Sequence, residues 1–151
     1  MFMLKAPAFE DGQEMPQKYG KKIENISPPL IWESVPQGTK SFALSMVDYM
    51  SAGRYYVHWL VCDMSTNVRS LQEDAAGKAM PPDARELKPY AGPFPPSGTH
   101  EYEFRLYALK TDKLRLPEKV SLDEFNEAVK PDTLGTAQLI GKFTKVRSRS
   151  K

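Results

Sequence analysis

The chain has one cysteine, two histidines and no long apolar run in its 151 residues. A single cysteine excludes an internal disulfide. Cys62, at the end of Tyr55-Tyr56-Val57-His58-Trp59-Leu60-Val61, reads as a buried, inert thiol of a reducing compartment. No stretch approaches the roughly 20 apolar residues of a membrane helix. Met1-Phe2-Met3-Leu4-Lys5-Ala6-Pro7 also lacks a charged leader followed by an apolar segment. The expectation is a cytoplasmic chain with no signal peptide and no membrane span. An excess of either charge is missing too, with 21 Lys and Arg against 19 Asp and Glu. Nucleic acid is therefore not an expected partner. Only the C-terminal Lys142, Lys145, Arg147, Arg149 and Lys151 approach a basic stripe, and they read as a solvated, frayed end rather than an anion-binding arm. A Gly-x-Ser-x-Gly elbow, a Gly-x-x-x-x-Gly-Lys loop, a His-Glu-x-x-His helix and paired cysteines are all absent. The usual serine-hydrolase, nucleotide-hydrolase and zinc readings lose their support with them.

What the chain does have is proline, 13 against 9 glycines, clustered between short apolar runs. Such punctuation predicts a mainly β fold with many turns. The length suits one core and one domain over 1–146, leaving 147–151 as a basic tail. Strands are expected at 3–8, 30–32, 41–48, 55–62 and 101–109, and at 139–146 with Gly141 weakening it. Residues 71–87 read as a long irregular loop. Ser121 and Glu124 have capping-box spacing, and Leu122, Phe125, Ala128 and Val129 line one helical face before Pro131 stops it. A second short helix is expected around Thr133–Gln138.

Both histidines lie where an imidazole needs a partner, since burying a polar group unpaired costs roughly 2 kcal/mol or more. Strand alternation assigns their faces. Asp48 continues the stripe Phe42, Leu44, Met46. His58 shares a face with Tyr56, Leu60 and Cys62, opposite Tyr55, Val57, Trp59 and Val61. His100 shares one with Tyr102, Phe104 and Leu106, and Glu101, Glu103 and Arg105 turn to solvent. Taken singly, each residue has an ordinary role: Asp48 closing a turn, His58 bonded to a carbonyl, Tyr102 as core. Taken jointly, beside the Gly92-Pro93-Phe94-Pro95-Pro96-Ser97-Gly98 stretch, they predict a shared polar pocket.

Several segments are similar to the phosphatidylethanolamine-binding protein family, whose bacterial branch is called Raf kinase inhibitor-like. They are Asn25-Ile26-Ser27-Pro28-Pro29-Leu30-Ile31-Trp32, Val35 to Leu44, Asp48, His58-Trp59, and Gly92 to Tyr102, in an order that spans about Met3 to Val146. The resemblance implies an antiparallel β-sandwich with a few short peripheral helices. It also implies a surface pocket for anionic heads such as phosphate, acetate or phosphorylethanolamine. By position that pocket is built from Asp48, His58, His100 and Tyr102 and floored by Gly92, Pro93, Pro95 and Pro96, with Trp59 as packing. No cofactor is implied. The sequence departs from the family's Asp-Pro-Asp-Ala-Pro at Asp48-Tyr49-Met50-Ser51-Ala52, where the second acid and both prolines are gone. Tyr49 and Met50 are expected to cover the opening or to favour a more apolar ligand.

The resulting expectation is a non-catalytic binder of small anions that modulates a kinase or protease partner, with a homodimer left open. Histidines that grip phosphate would make binding strengthen as pH falls from about 8 to about 6. Asp48 would orient one imidazole or meet an ammonium. Two alternatives stand beside this. One is a metal-dependent hydrolase using Asp48, His58 and His100. The other is an interaction protein with structural histidines and a partner surface of exposed Tyr90, Phe94 and nearby prolines.

Overall fold

The computed structural model describes residues 1–50 and 55–146. The basic tail at 147–151, together with Ser51 and Ala52, lies outside the described residues. Among the described residues nine strands run in the order β1 (Met3–Lys5), β2 (Gln13–Glu14), β3 (Leu30–Glu33), β4 (Ser41–Asp48), β5 (Tyr56–Ser65), β6 (Ser70–Leu71), β7 (Arg85–Lys88), β8 (Thr99–Leu109) and β9 (Thr133–Thr144), with one α-helix, α1 (Leu122–Val129), before the last. They form two sheets, β1-β3-β6 and β2-β9-β8-β4-β5-β7. Among the described pairings all are antiparallel except β2 with β9, which is parallel.

The small sheet packs on one face of the large one, giving a sandwich. Leu4, Leu30, Trp32 and Leu71 of the small sheet meet Phe42, Leu44, Met46, Phe104 and Leu106 of the large one. On the other face Ala43, Val47, Leu60, Tyr107 and Leu109 receive Leu122, Phe125 and Val129 of α1. β4 is buried along its whole length because it is flanked by β5 and β8 and covered on both faces. Full burial of a side chain such as Phe125 contributes about 1.5–3 kcal/mol.

α1 begins as the capping box predicts. Ser121 Oγ accepts from Glu124 N at 3.1 Å, and Glu124 Oε1 accepts from Ser121 N at 2.8 Å. Ser121→Ala is expected to cost about 1 kcal/mol in urea denaturation, the usual worth of such a cap. No change would mean that packing alone holds the helix.

Three expectations need correction. Thr133–Gln138 is not helical but opens β9, which pairs along β8 from Thr133↔Leu109 to Thr144↔Thr99. Its β-branched threonines and the period-two burial of Ala137 and Leu139 suit that long ladder. Gly141 does not weaken β9. A Cβ there would meet Met15 Cγ at 2.6 Å, so the missing side chain lets the segment after β2 pack flat on the strand. The loop at 71–87 is bounded by the edge strands β6 and β7, which are too short to carry a period of their own.

The fourth correction matters most for the site. β5 does not alternate strictly. Its register against β4 runs from Met46↔Trp59 to Val47↔Val57, which leaves His58 as an extra, unpaired residue. A second shift between Phe42 and Leu44 lies beside Asp63, whose φ is 61°. Each bulge reverses the side-chain parity beyond it. Trp59 and Val61 therefore face the small sheet, while Val57, Leu60 and Cys62 face α1. His58 keeps Tyr56, one expected companion, but is separated from Leu60 and Cys62 and packs against Tyr102 instead.

Candidate functional site

Local chemistry at Asn25 and Ser27 explains where the proline-rich segment sits. Asn25, with φ 54°, donates its own N–H to Gly20 O and accepts from Gly92 N through Oδ1 at 2.7 Å. Ser27 holds the 74–76 turn: its backbone oxygen accepts from Asp74 N, and its Oγ accepts from Ala76 N. Tyr90 donates its hydroxyl to Tyr19 O at 2.9 Å, and Lys21 N donates to Pro93 O. These bonds seat residues 90–96 against the segment around Gly20. Tyr90 is thus buried, not exposed as the interaction-surface alternative requires, because its phenol is spent on this staple.

Between these segments and the ends of β4, β5, β8 and β9 lies a cleft of about 1410 Å³. Six expected residues line it: Asp48, His58, Pro93, Pro95, Pro96 and Tyr102. Gly92 and His100 do not. Gly92 is buried behind the wall, and His100 stands behind Asp48, to which its Nδ1 donates at 2.6 Å. The other oxygen of Asp48 accepts from Met50 N at 2.8 Å, so this acid both orients an imidazole and closes a turn.

His58 is held by a different bond. Its Nδ1 lies 2.6 Å from Ala91 O. A carbonyl only accepts, so Nδ1 carries the proton and Nε2 keeps a lone pair. Burial pushes His58 down to about 4, against the opposing pull of the Ala91 carbonyl and Asp48. It is neutral between pH 6 and 8, which overturns the expectation that its charge would grip phosphate in that range. Tyr102 is fully buried edge-on to His58 at 5.1 Å, and desolvation, with Asp48 adding to it, raises its phenol well above the usual range.

Asp48, His58 and His100 do not converge as metal ligands, and among the described residues no three His, Cys, Asp or Glu side chains do. Cys62 is buried, and desolvation raises its thiol to about 12. Trp59 is fully buried, donates Nε1 to Glu86 at 2.9 Å and does not line the cleft. Nor do Tyr49 and Met50 cover the opening. Both are half exposed beside it: Tyr49 meets Tyr55 edge-on at 6.4 Å, and Met50 Sδ accepts from Glu101 N.

Sequence reasoning missed Tyr56, Lys22 and Lys145 as lining residues, and it singled out Phe94 only in the interaction-protein alternative, as partner surface, whereas Phe94 lies in the cleft wall with the prolines of its loop. Tyr56 was within reach, being two positions from His58 on the same strand face. Lys145 is not part of a frayed end. Its N–H donates to Gly98 O, which extends β9 along β8 to the mouth of the cleft. No local signal marks Lys22, which reaches the cleft only because residues 17–23 form its far wall.

Among the described residues no helix is long and apolar enough to cross a membrane. A UPF0098 protein of Methanothermobacter thermautotrophicus is 37% identical over 147 residues, covering 93% of this chain and 97% of its own. The crystal structure of Escherichia coli YbcL, described as a new member of the mammalian PEBP family, matches with a TM-score of 0.88 at 26% identity, over 97% of this chain and 99% of its own. The phosphatidylethanolamine-binding protein homologue CT736 of Chlamydia trachomatis matches at 0.84 and 30% identity, over 96% and 98%. The family model described as phosphatidylethanolamine-binding protein matches residues 5–144, nearly the whole of both sheets and of the cleft lining, and the chain belongs to that family.

Proposed function

We propose that this protein is a non-catalytic binder of small phosphorylated or otherwise anionic molecules, with residues 1–146 acting as one cytoplasmic domain. The observation that carries this is the meeting of Lys22 and Lys145, from opposite ends of the chain, in the one cleft that also holds Asp48, His58 and Tyr102. Two exposed ammonium groups at the rim attract an anion without a deep desolvation cost, and the apolar wall of Phe94, Phe143 and prolines excludes water beside it. Phosphate, acetate and phosphorylethanolamine all satisfy that rim. Against a hydrolase, Asp48 and His100 bond each other and His58 Nδ1 is engaged by a carbonyl, so these three form no nucleophile–base pair. Modulation of a kinase or protease partner, and assembly as a homodimer, belong to the same proposal on family likeness.

Titration of labelled protein with phosphorylethanolamine and with phosphotyrosine, followed by NMR, tests it. Amide shifts are expected at Lys22, His58, Phe94 and Lys145. Lys22→Ala and Lys145→Ala should each weaken binding by about 10-fold, the usual worth of one charge-assisted contact. Unchanged affinity in both variants would remove the rim from the account.

A further inference from the structure

Four lysines stand around the cleft, in two pairs. Lys22 and Lys145 line its rim. Lys21 and Lys88 do not line it but sit on its aromatic wall. Lys21 Nζ lies 4.7 Å from the centre of the Phe94 ring, and Lys88 Nζ lies 6.0 Å from that of Tyr56. Both rings line the cleft, and they meet edge-on at 5.5 Å. A ring face attracts a cation, so each ammonium gains by staying beside the cleft. Among the described residues none of these four lysines forms an ion pair, whereas Lys5, Lys18, Lys78 and Lys130 each have a carboxylate partner. Among the described residues the only carboxylate in the lining is that of Asp48, already engaged by His100 and by Met50 N. The field of Lys88 reaches into the site: burial first, and Lys88 with it, push the His58 imidazole down.

We propose that Lys21 and Lys88 form a second anion subsite on the aromatic wall, so that the cleft takes a molecule with two anionic groups, a diphosphate or a bisphosphate ester, in preference to a single small anion. The proposal rests on the anion-binding reading above. The cleft encloses about 1410 Å³, more than the about 300–1,000 Å³ of pockets that bury a drug-sized ligand. One phosphate between Lys22 and Lys145 leaves most of that space empty and leaves Lys21 and Lys88 uncompensated. A second anionic group joined to the first reaches them without a second loss of translational freedom, which is the gain that linking two contacts brings. Phosphate and acetate use the rim alone and bind more weakly. Phosphorylethanolamine brings an ammonium where Lys21 and Lys88 repel it, so it gains nothing from the second subsite.

Calorimetric titration of the full chain with inorganic phosphate, pyrophosphate and fructose 1,6-bisphosphate tests this, the last two offering a short and a long spacing between the charged groups. At least one of them is expected to bind about 10-fold or more tighter than phosphate, the worth of a further charge-assisted contact. The ratio of the two affinities is the readout, because a loss of fold would lower both. Replacing Lys21→Gln and Lys88→Gln together is expected to bring the ratio close to one, and Lys21→Arg with Lys88→Arg to keep it, since Arg also carries charge onto a ring face. Lys113→Gln with Lys119→Gln removes the same charge from exposed positions outside the cleft lining and is expected to leave the ratio as it was. Equal affinity for all three probes would overturn the second subsite and leave anion binding intact. So would a ratio that survives the loss of Lys21 and Lys88, or one that falls as far on loss of Lys113 and Lys119. Failure of every probe to bind would overturn both readings.

Discussion

Gly92→Ala is expected to destabilise the fold by at least about 4 kcal/mol, in the range reserved for substitutions that force backbone against backbone. The added Cβ would sit 1.9 Å from Tyr19 O and 2.8 Å from Lys21 N. Neither atom is the free end of a side chain, so relief requires moving a chain segment. That movement would strain the Tyr90 hydroxyl bond to Tyr19 O, the Lys21 bond to Pro93 O and the Asn25 bond to Gly92 N together. With total stabilities of about 5–15 kcal/mol, most of the reserve could go. Urea denaturation of the variant measures this directly. A loss below about 1 kcal/mol would show that residues 90–96 shift freely against residues 19–21. It would also make Gly92 a matter of tolerance rather than packing.

The second large effect is on pH dependence. His58 titrates near 4 in the folded protein, against about 6.5 when unfolded. Between those values the unfolded chain takes up a proton that the folded chain refuses. Stability from this group is therefore fully present above about pH 6.5 and declines as pH falls toward 4, by about 3 kcal/mol in all. Carboxylates titrate in the same window, so the informative quantity is the difference between wild type and His58→Asn, which keeps a donor for Ala91 O and cannot charge. The wild type is expected to lose about 3 kcal/mol more than the variant between pH 7 and pH 4. Parallel curves would mean that His58 is hydrated in the folded state.

Much of this protein could be read from neighbours in sequence. β4 has the expected bounds, Ser41–Asp48, because its apolar run ends on turn residues. The capping box forms because Ser121 and Glu124 need only each other and one helical turn. The Phe42, Leu44, Met46, Asp48 stripe and the Tyr102, Phe104, Leu106 stripe keep their faces, since neither strand is bulged along them against its β4–β8 partner. β5 failed for a reason the chain does not carry locally. A bulge is an extra residue in one strand relative to its partner, so it is defined by how β5 pairs with β4, far from it in sequence. The site divided in the same way. Asp48 and His100 meet as strand alternation suggested. The bond that sets His58's proton comes from Ala91, whose own N–H donates to His58 O at 2.9 Å while Asn25 and Tyr90 pin the neighbouring proline-rich segment to the Gly20 loop.

By itself, then, the sequence determined the β-rich class, the helix and its cap, the family resemblance and the short roster of acid, imidazole and phenol, all set by side-chain type and spacing within a few residues. Only the tertiary structure decided which nitrogen of His58 is free, that His100 stands behind the cleft rather than in it, and that Lys22 and Lys145 share a rim. Protonation and charge layout depend on what distant segments bring within about 3 Å, the reach of a hydrogen bond.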